Sequence, residues 1–171
     1  MDFLVAKLNG QGRAVDFAAL EVQSVYVSGE GMRTAFRKFV KTGQHDKTAW
    51  RRPDWRSSIQ KRLMPQLMLK VPVFRRWGKK FFVAVDTNFF GNIPTFRHAN
   101  SFDNSEITWL VYPFEKSGEG GQYEIQQPRI VWSVWEDVMD ALREGVAPQQ
   151  QEILDEIDRK TKTLHLEPLT T

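Results

Sequence analysis

"DFLVAKLNGQGRAVDFAALEVQSVYVSG", residues 2–29, reads as two strands joined by a tight turn. "FLVAKL" and "AVDFAALEVQSVYV" flank "NGQG", and an Asn-Gly pair between two apolar runs is a strong hairpin signal. Side chains two apart on a strand share a face, so Glu21 and Gln23 point the same way among aliphatic neighbours. A carboxylate in such dry surroundings is expensive unless an arginine, a lysine or a metal ion meets it. Pairing Leu8 with Arg13 sets Asp2 opposite Ala19, and a wider loop or a bulge moves it to Glu21. Asp16, an odd number of residues from Glu21, falls on the other face.

The rest of the chain is that of an ordinary water-soluble protein. It has 171 residues, 41% hydrophobic and 26% charged, enough for one domain with a proper core. No run of about 18 apolar residues is present, so no membrane span is expected. Lys7, Asn9 and Arg13 interrupt the start, which excludes a signal-peptide core there. Cysteine is absent, which excludes disulfides, thiolate metal sites and a cysteine nucleophile within the chain, and a cytoplasmic setting fits. The net charge of +3 hides a strong asymmetry. Residues 1–30 carry a balance of −2, residues 31–104 one of +12, and residues 105–171 one of −7. The basic block, densest over 31–80, is an electrostatic footprint for a polyanion, nucleic acid first; a solvated basic surface is the plain alternative.

Beyond the hairpin, residues 30–56 mix a short helical possibility with Gly, Pro and many bases, and read mainly as a long basic loop. "SSIQKRLMPQLMLKV" (57–71) predicts a helix with Ser57 or Ser58 as N-cap and Ile59, Leu63 and Leu67 on one face, kinked or restarted at Pro65. "KKFFVAVDTNFF" (79–90), "SEITWLVYPF" (105–114) and "QYEIQQPRIVWSV" (122–134) predict three strands, the last an edge or bulged strand at Pro128. "WEDVMDALREG" (135–145) predicts a short helix ending at Gly145. "APQQQEILDEIDRKTKTL" (147–164) predicts an amphipathic one with Ile153, Ile157 and Leu164 facing inward. The order of elements predicts an α/β or α+β fold with a mixed sheet and an acidic helical tail over 135–165.

Two neighbouring carboxylates beside a further polar group suit a hard divalent cation such as Mg²⁺. Such an ion lowers the pKa of a bound water and neutralises charge developing on a phosphate. The general pattern is Asp, a spacer, then (Asp/Glu)-x-Lys on the next strand; here it is Asp2, then Glu21-Val22-Gln23.

The hairpin, followed by "RRPDWRSSIQKRLMPQLMLK" (51–70), "WGKKFFVAVDTNFF" (77–90) and "ITWLVYPF" (107–114), resembles the catalytic half of NotI-like type II restriction endonucleases over roughly residues 2–140. The most specific part is "ALEVQSVYVSG" together with the later "SSIQKRLMPQL". That family belongs to the PD-(D/E)XK nuclease superfamily and replaces the usual Lys by Gln, as at Gln23. The resemblance implies a restriction-endonuclease-like α/β core, a mixed sheet flanked by helices. It implies that Asp2 and Glu21 bind Mg²⁺ with the backbone carbonyl of Val22, and that Gln23 orients or helps activate the attacking water. It implies metal-assisted phosphodiester hydrolysis in double-stranded DNA by a homodimer, two sites serving the two strands of a palindrome. The superfamily core normally has a helix and a strand ahead of the Asp-bearing strand. Because the chain starts at Met1-Asp2, the expectation is a fragment or a core completed from elsewhere. The four-cysteine iron site of NotI itself is not carried over.

The carboxylates also have a plain reading, as strand side chains in salt bridges with Lys61 or Arg62. A rival metal set is Asp86 with Glu106-Ile107-Thr108. For nucleic acid, the candidates are Arg33, Arg37, Lys38, Arg51, Arg52, Arg56, Lys61 and Arg62, with Trp50 and Trp55 interleaved. Such contacts set affinity and salt dependence rather than sequence choice. His45, His98 and His165 have no ligand-type spacing and read as surface residues. Phe81, Phe82, Phe89 and Phe90 read as core. The competing functions are a non-catalytic DNA-binding remnant of such a nuclease and a small interaction protein with no nucleic-acid role.

Overall fold

A computed structural model describes residues 2–28, 32–43, 52–117, 122–143 and 149–164. In chain order the elements are β1 (Phe3–Leu8), β2 (Ala14–Val22), β3 (Tyr26–Ser28), α1 (Met32–Thr42), β4 (Arg52–Asp54), a π-helical segment (Ser57–Leu63), α2 (Met64–Arg76), β5 (Phe81–Asp86), α3 (Thr87–Gly91), β6 (Ile107–Tyr112), β7 (Phe114–Ser117), β8 (Gln122–Ile125), β9 (Arg129–Ser133), α4 (Trp135–Arg143) and α5 (Gln150–Leu164). The main sheet has five strands in the order β1-β2-β5-β6-β9. β2, β5 and β6 run parallel, and β1 and β9 are the antiparallel edges. This is a mixed α/β sheet flanked by helices, consistent with a restriction-endonuclease-like core.

The hairpin closes as the Asn-Gly signal predicts. Asn9 Oδ1 accepts the N–H groups of Gln11 and Arg13 at 3.0 and 2.9 Å, and Gly12 takes the positive φ of 75° that the turn requires. Leu8 pairs with Ala14 but Lys7 with Asp16, so Val15 is an extra residue bulged out of β2. The bulge carries the register on to Phe3 opposite Leu20, which brings Asp2 to the level of Glu21. Asp16 projects elsewhere and is held by the Lys79 ammonium.

α2 links β2 to its parallel neighbour β5 and lies over one face of the sheet. Ile59, Leu63, Leu67, Val71 and Phe74 recur at helical spacing and are buried against Phe81, Val83, Val85, Ile107 and Trp109 of the sheet. Val138, Met139 and Leu142 of α4 complete this layer. Pro65 does not break the helix: it falls where the π-helical segment passes into α2, and Leu63 and Met64 on either side of that junction keep helical conformation. The expected N-cap is different: Ser57 donates its N–H to Asp54 Oδ1 at 2.9 Å, so Asp54 caps the helix. Ser58 is buried instead, its hydroxyl donating to the Asp54 carbonyl and accepting the Tyr26 N–H at 2.6 Å.

Further expectations need correction: the strand read through Val27 ends at Val22, with Tyr26–Ser28 a separate strand paired to β4, and "SEITWLVYPF" breaks at Pro113 into β6 and β7. The segment read as a basic loop contains α1 and β4, because Phe36, Phe39 and Val40 give it a helical stripe. "TNFF" is not strand but the short α3, started by Asp86, whose Oδ1 accepts the Phe89 N–H at 2.8 Å. "QYEIQQPRIVWSV" splits at Gln126–Pro128 into β8 and β9, since proline cannot continue a ladder. α5 forms over the expected residues, but Ile153 and Ile157 are 47% and 52% exposed rather than turned to the core. The side chain of Leu164 lies outside the described part, as do His45, Lys47, Trp50, Arg51, Gly145 and His165. His98 is exposed, and Phe81 and Phe89 are core as expected, with Phe82 and Phe90 half-buried.

Candidate functional site

Strand alternation sends Ala19 and Glu21 to the face of β2 that α2 covers, and both are buried, Glu21 to 1% exposure. Among the described residues Glu21 is the one buried charged side chain. Burial of a lone carboxylate is costly, and the chain meets the cost with Lys70 of α2, whose Nζ lies 2.6 Å from Glu21 Oε2. Lys70 also donates to Gln66 Oε1, one helical turn back. Burial pulls the Lys70 ammonium down, but its hydrogen bond to Glu21 and the charges of Glu21 and Asp2 outweigh this and hold its pKa above the usual lysine value.

Asp2 sits beside this pair. Its Oδ2 accepts the Val22 N–H at 2.8 Å, so the carboxylate caps the end of β2. Gln23 continues the register, its N–H donating to the Ala84 carbonyl at 2.9 Å, while its side-chain amide donates to the Ser24 carbonyl at 2.7 Å. These residues open onto a cleft of about 770 Å³ whose walls include Asp2, Val22, Gln23, Lys61, Arg62 and Gln66. The Arg62 guanidinium lies 4.5 Å above the centre of the Tyr26 ring, which fixes it at the cleft wall.

The expected residues thus divide. Asp2, Val22, Gln23, Lys61 and Arg62 share the cleft, with Glu21 beneath it. Arg33, Arg37 and Lys38 stand exposed on α1, and Arg52 on β4. Arg56 hydrogen-bonds Gln60 at 3.2 Å and lines a different hollow with Trp55 and Asn92. Arg51 lies outside the described residues. The salt-bridge partner expected for Glu21, Lys61 or Arg62, is corrected to Lys70. Sequence reading missed both Lys70 and Gln66. Their one signal is the i, i+4 spacing one position before the buried Leu67 and Val71.

The rival set comes apart. β5 and β6 pair Phe81 with Ile107 and Asp86 with Tyr112, so Asp86 and Glu106 lie near opposite ends, six strand positions or roughly 20 Å apart. Asp86 caps α3, and Glu106 is held by Arg75 at 2.6 Å and the Trp135 N–H at 2.8 Å.

Residues 1–125 match the family model described as restriction endonuclease NotI. The chain belongs to the NotI restriction endonuclease family. The NotI match runs from the hairpin to the end of β8 and takes in every wall of the cleft. NotI-family membership makes this a restriction-type DNA nuclease fold with DNA as the family's substrate. No curated protein sequence matches the chain.

NotI-type restriction chemistry ordinarily calls for a divalent metal. Among the described residues no three His, Asp or Glu side chains gather. What the cleft offers is the Asp2 carboxylate and backbone oxygen, with the Glu21 carboxylate buried beneath it on Lys70, an all-oxygen set of the kind a hard cation keeping several waters takes. No described helix is long and apolar enough to cross a membrane.

Proposed function

We propose that this chain is a Mg²⁺-dependent type II endonuclease that hydrolyses phosphodiester bonds in double-stranded DNA, built on the PD-(D/E)XK pattern. The observation that carries the reading is the meeting of Asp2 with the Val22 N–H directly beside the buried Glu21, inside the NotI-family match. Asp2, Glu21 and the Val22 carbonyl are the residues that would hold the ion. Bound there, Mg²⁺ would supply an activated water and a counter-charge for the phosphate.

The chain's own groups do the rest. Gln23, at the cleft wall, is placed to orient the attacking water through its side-chain amide. Lys61 and Arg62 clamp the phosphate backbone at the same wall, which sets register and salt dependence. Arg52 and Arg56, with Arg33, Arg37 and Lys38 on α1, extend the basic surface, so that DNA crosses more than the cleft alone. The whole chain acts as one nuclease domain, works in the cytoplasm where DNA is met, and pairs as a homodimer to cut both strands.

The test is incubation of a long, sequence-diverse DNA with the purified chain, with Mg²⁺ and with chelator, beside Glu21→Ala. Discrete fragments that need Mg²⁺ and vanish in the variant support the reading. Salt-dependent DNA binding without cleavage under any divalent ion would replace it with a non-catalytic DNA-binding remnant.

A further inference from the structure

A strand carboxylate pair that serves a phosphodiester needs a fixed positive charge nearby, and Gln23 is neutral. Among the described residues, the side-chain cation that meets Glu21 comes from a helix, not from the strand. Lys70 lies 49 positions further along the chain from Glu21, is 21% exposed, and places Nζ 2.6 Å from Glu21 Oε2. Gln66, which lines the cleft, accepts a second bond from the same ammonium, so the lysine is held between Glu21 and a cleft-wall residue.

We propose that Lys70 is the cationic member of this site that Gln23 is not: a positioning residue that holds the Glu21 carboxylate in place and halves the charge of the Asp2–Glu21 pair. The inference rests on the nuclease reading above. Asp2 and Glu21 carry two negative charges and Lys70 one positive. Lys70 thus removes one unit from the negative charge of the two carboxylates. Without Lys70 the loaded site would be one unit more negative and would repel the charge that builds on the phosphate at the transition state. The same positive charge opposes a cation at the carboxylates, so the lysine lowers metal affinity while raising turnover.

Lys70→Gln tests this, because glutamine removes the charge while retaining an N–H donor for Glu21. Mn²⁺ is titrated calorimetrically at pH 8 without DNA into the parent, Lys70→Gln and Glu21→Gln, and DNA cleavage is measured alongside. Lys70→Gln is expected to bind Mn²⁺ at least about threefold more tightly, from removal of like charge near the ion. Its kcat is expected to fall at least about 30-fold, with KM for DNA within about threefold of the parent. Glu21→Gln is expected to lose Mn²⁺ binding. Unchanged Mn²⁺ affinity or unchanged kcat in Lys70→Gln overturns the proposal. Should that variant fail to fold, Lys70→Arg decides. Parental Mn²⁺ affinity with kcat within about tenfold supports a charge role, and loss of cleavage in the folded variant overturns it. If the parent binds Mn²⁺ yet cuts no DNA, the nuclease reading falls while the titrations still settle what Lys70 does. If the parent binds no Mn²⁺, both fall.

Discussion

Glu21 Oε2 and Lys70 Nζ meet at 2.6 Å between the central part of the sheet and the helix that covers it. The contact joins the core to the cleft: the helix that buries Leu67 and Val71 in the core also delivers Lys70 and Gln66 to the carboxylates. Packing of α2 and the geometry of the site are therefore one problem, and changes in either show in the other.

Glu21→Ala removes a proposed metal ligand and leaves a part-buried ammonium without its carboxylate. Cleavage is expected to fall below detection while DNA binding stays within about threefold of the parent, read by gel shift and fragment analysis. Breaking the pair is expected to cost about 1–3 kcal/mol, less than for a wholly buried pair because Lys70 keeps some water contact. Denaturant unfolding measures it. A variant that cuts as well as the parent would remove the hairpin from the site.

Asp2→Asn keeps the shape of the exposed Asp2 side chain, and its amide oxygen can still accept the Val22 N–H. Stability is expected to change by less than about 0.5 kcal/mol. Mg²⁺-dependent cleavage is expected to drop at least about 100-fold. Partial recovery at high Mn²⁺ would fit a weakened metal ligand, whereas full activity in Mg²⁺ would show that Asp2 holds nothing.

Lys61→Ala and Arg62→Ala act on the cleft wall. Each is expected to weaken DNA binding across all sequences and to reduce the slope of log K against log salt by about 1. Arg62 is also tied to Tyr26, so Tyr26→Ala is expected to produce a smaller loss in the same direction. Binding isotherms at several salt concentrations separate these effects; an unchanged slope in the double variant would place the DNA elsewhere.

Leu67→Ala empties a fully buried position between α2 and the sheet. A loss of about 2–5 kcal/mol is expected from chemical denaturation. Because Lys70 and Gln66 ride on the same turn, kcat is expected to fall even where the variant is fully folded. A stability loss with unchanged kcat would show that the site tolerates movement of α2.

Glu136 on α4 is held below its ordinary value of 4.5, first by the hydrogen bond from Arg75 and then by a backbone hydrogen bond, with burial working weakly the other way. A depressed carboxylate pKa contributes stability that is present above the unfolded value and is lost as pH falls through the folded one. The difference in Tm between the parent and Glu136→Gln is therefore expected to be constant above about pH 5.5 and to shrink at lower pH. A difference that grows on acidification would contradict the Arg75 pairing. The group is largely exposed, so the effect is small.

Much of the hairpin was legible because its signals are local. The Asn-Gly turn, the alternation of Ala19 and Glu21, and the apolar spacing of Ile59, Leu63 and Leu67 each depend on residues a few positions apart. The bulge at Val15 was expected only as one of two ways to align Asp2, and the folded register uses it together with a wider loop. α3 was hidden because Phe89 and Phe90 extend an apolar run that reads as strand; only Asp86, acting as a cap, ends it. The inward face assigned to α5 was wrong for a different reason. Periodicity shows that a helix has an apolar side, but not that the core has room for it.

The sequence alone determined a mixed sheet with helices, the hairpin that carries Asp2 and Glu21 on neighbouring strands, and the concentration of basic residues over 31–104, since all three follow from local spacing and composition. The tertiary structure alone decided which cation meets Glu21. Lys61, Arg62 and Lys70 are equivalent as charges on one helical arm. Burial of Leu67 and Val71 fixes the rotation of α2, and that rotation turns Lys70 to the carboxylate and leaves Lys61 and Arg62 at the cleft wall.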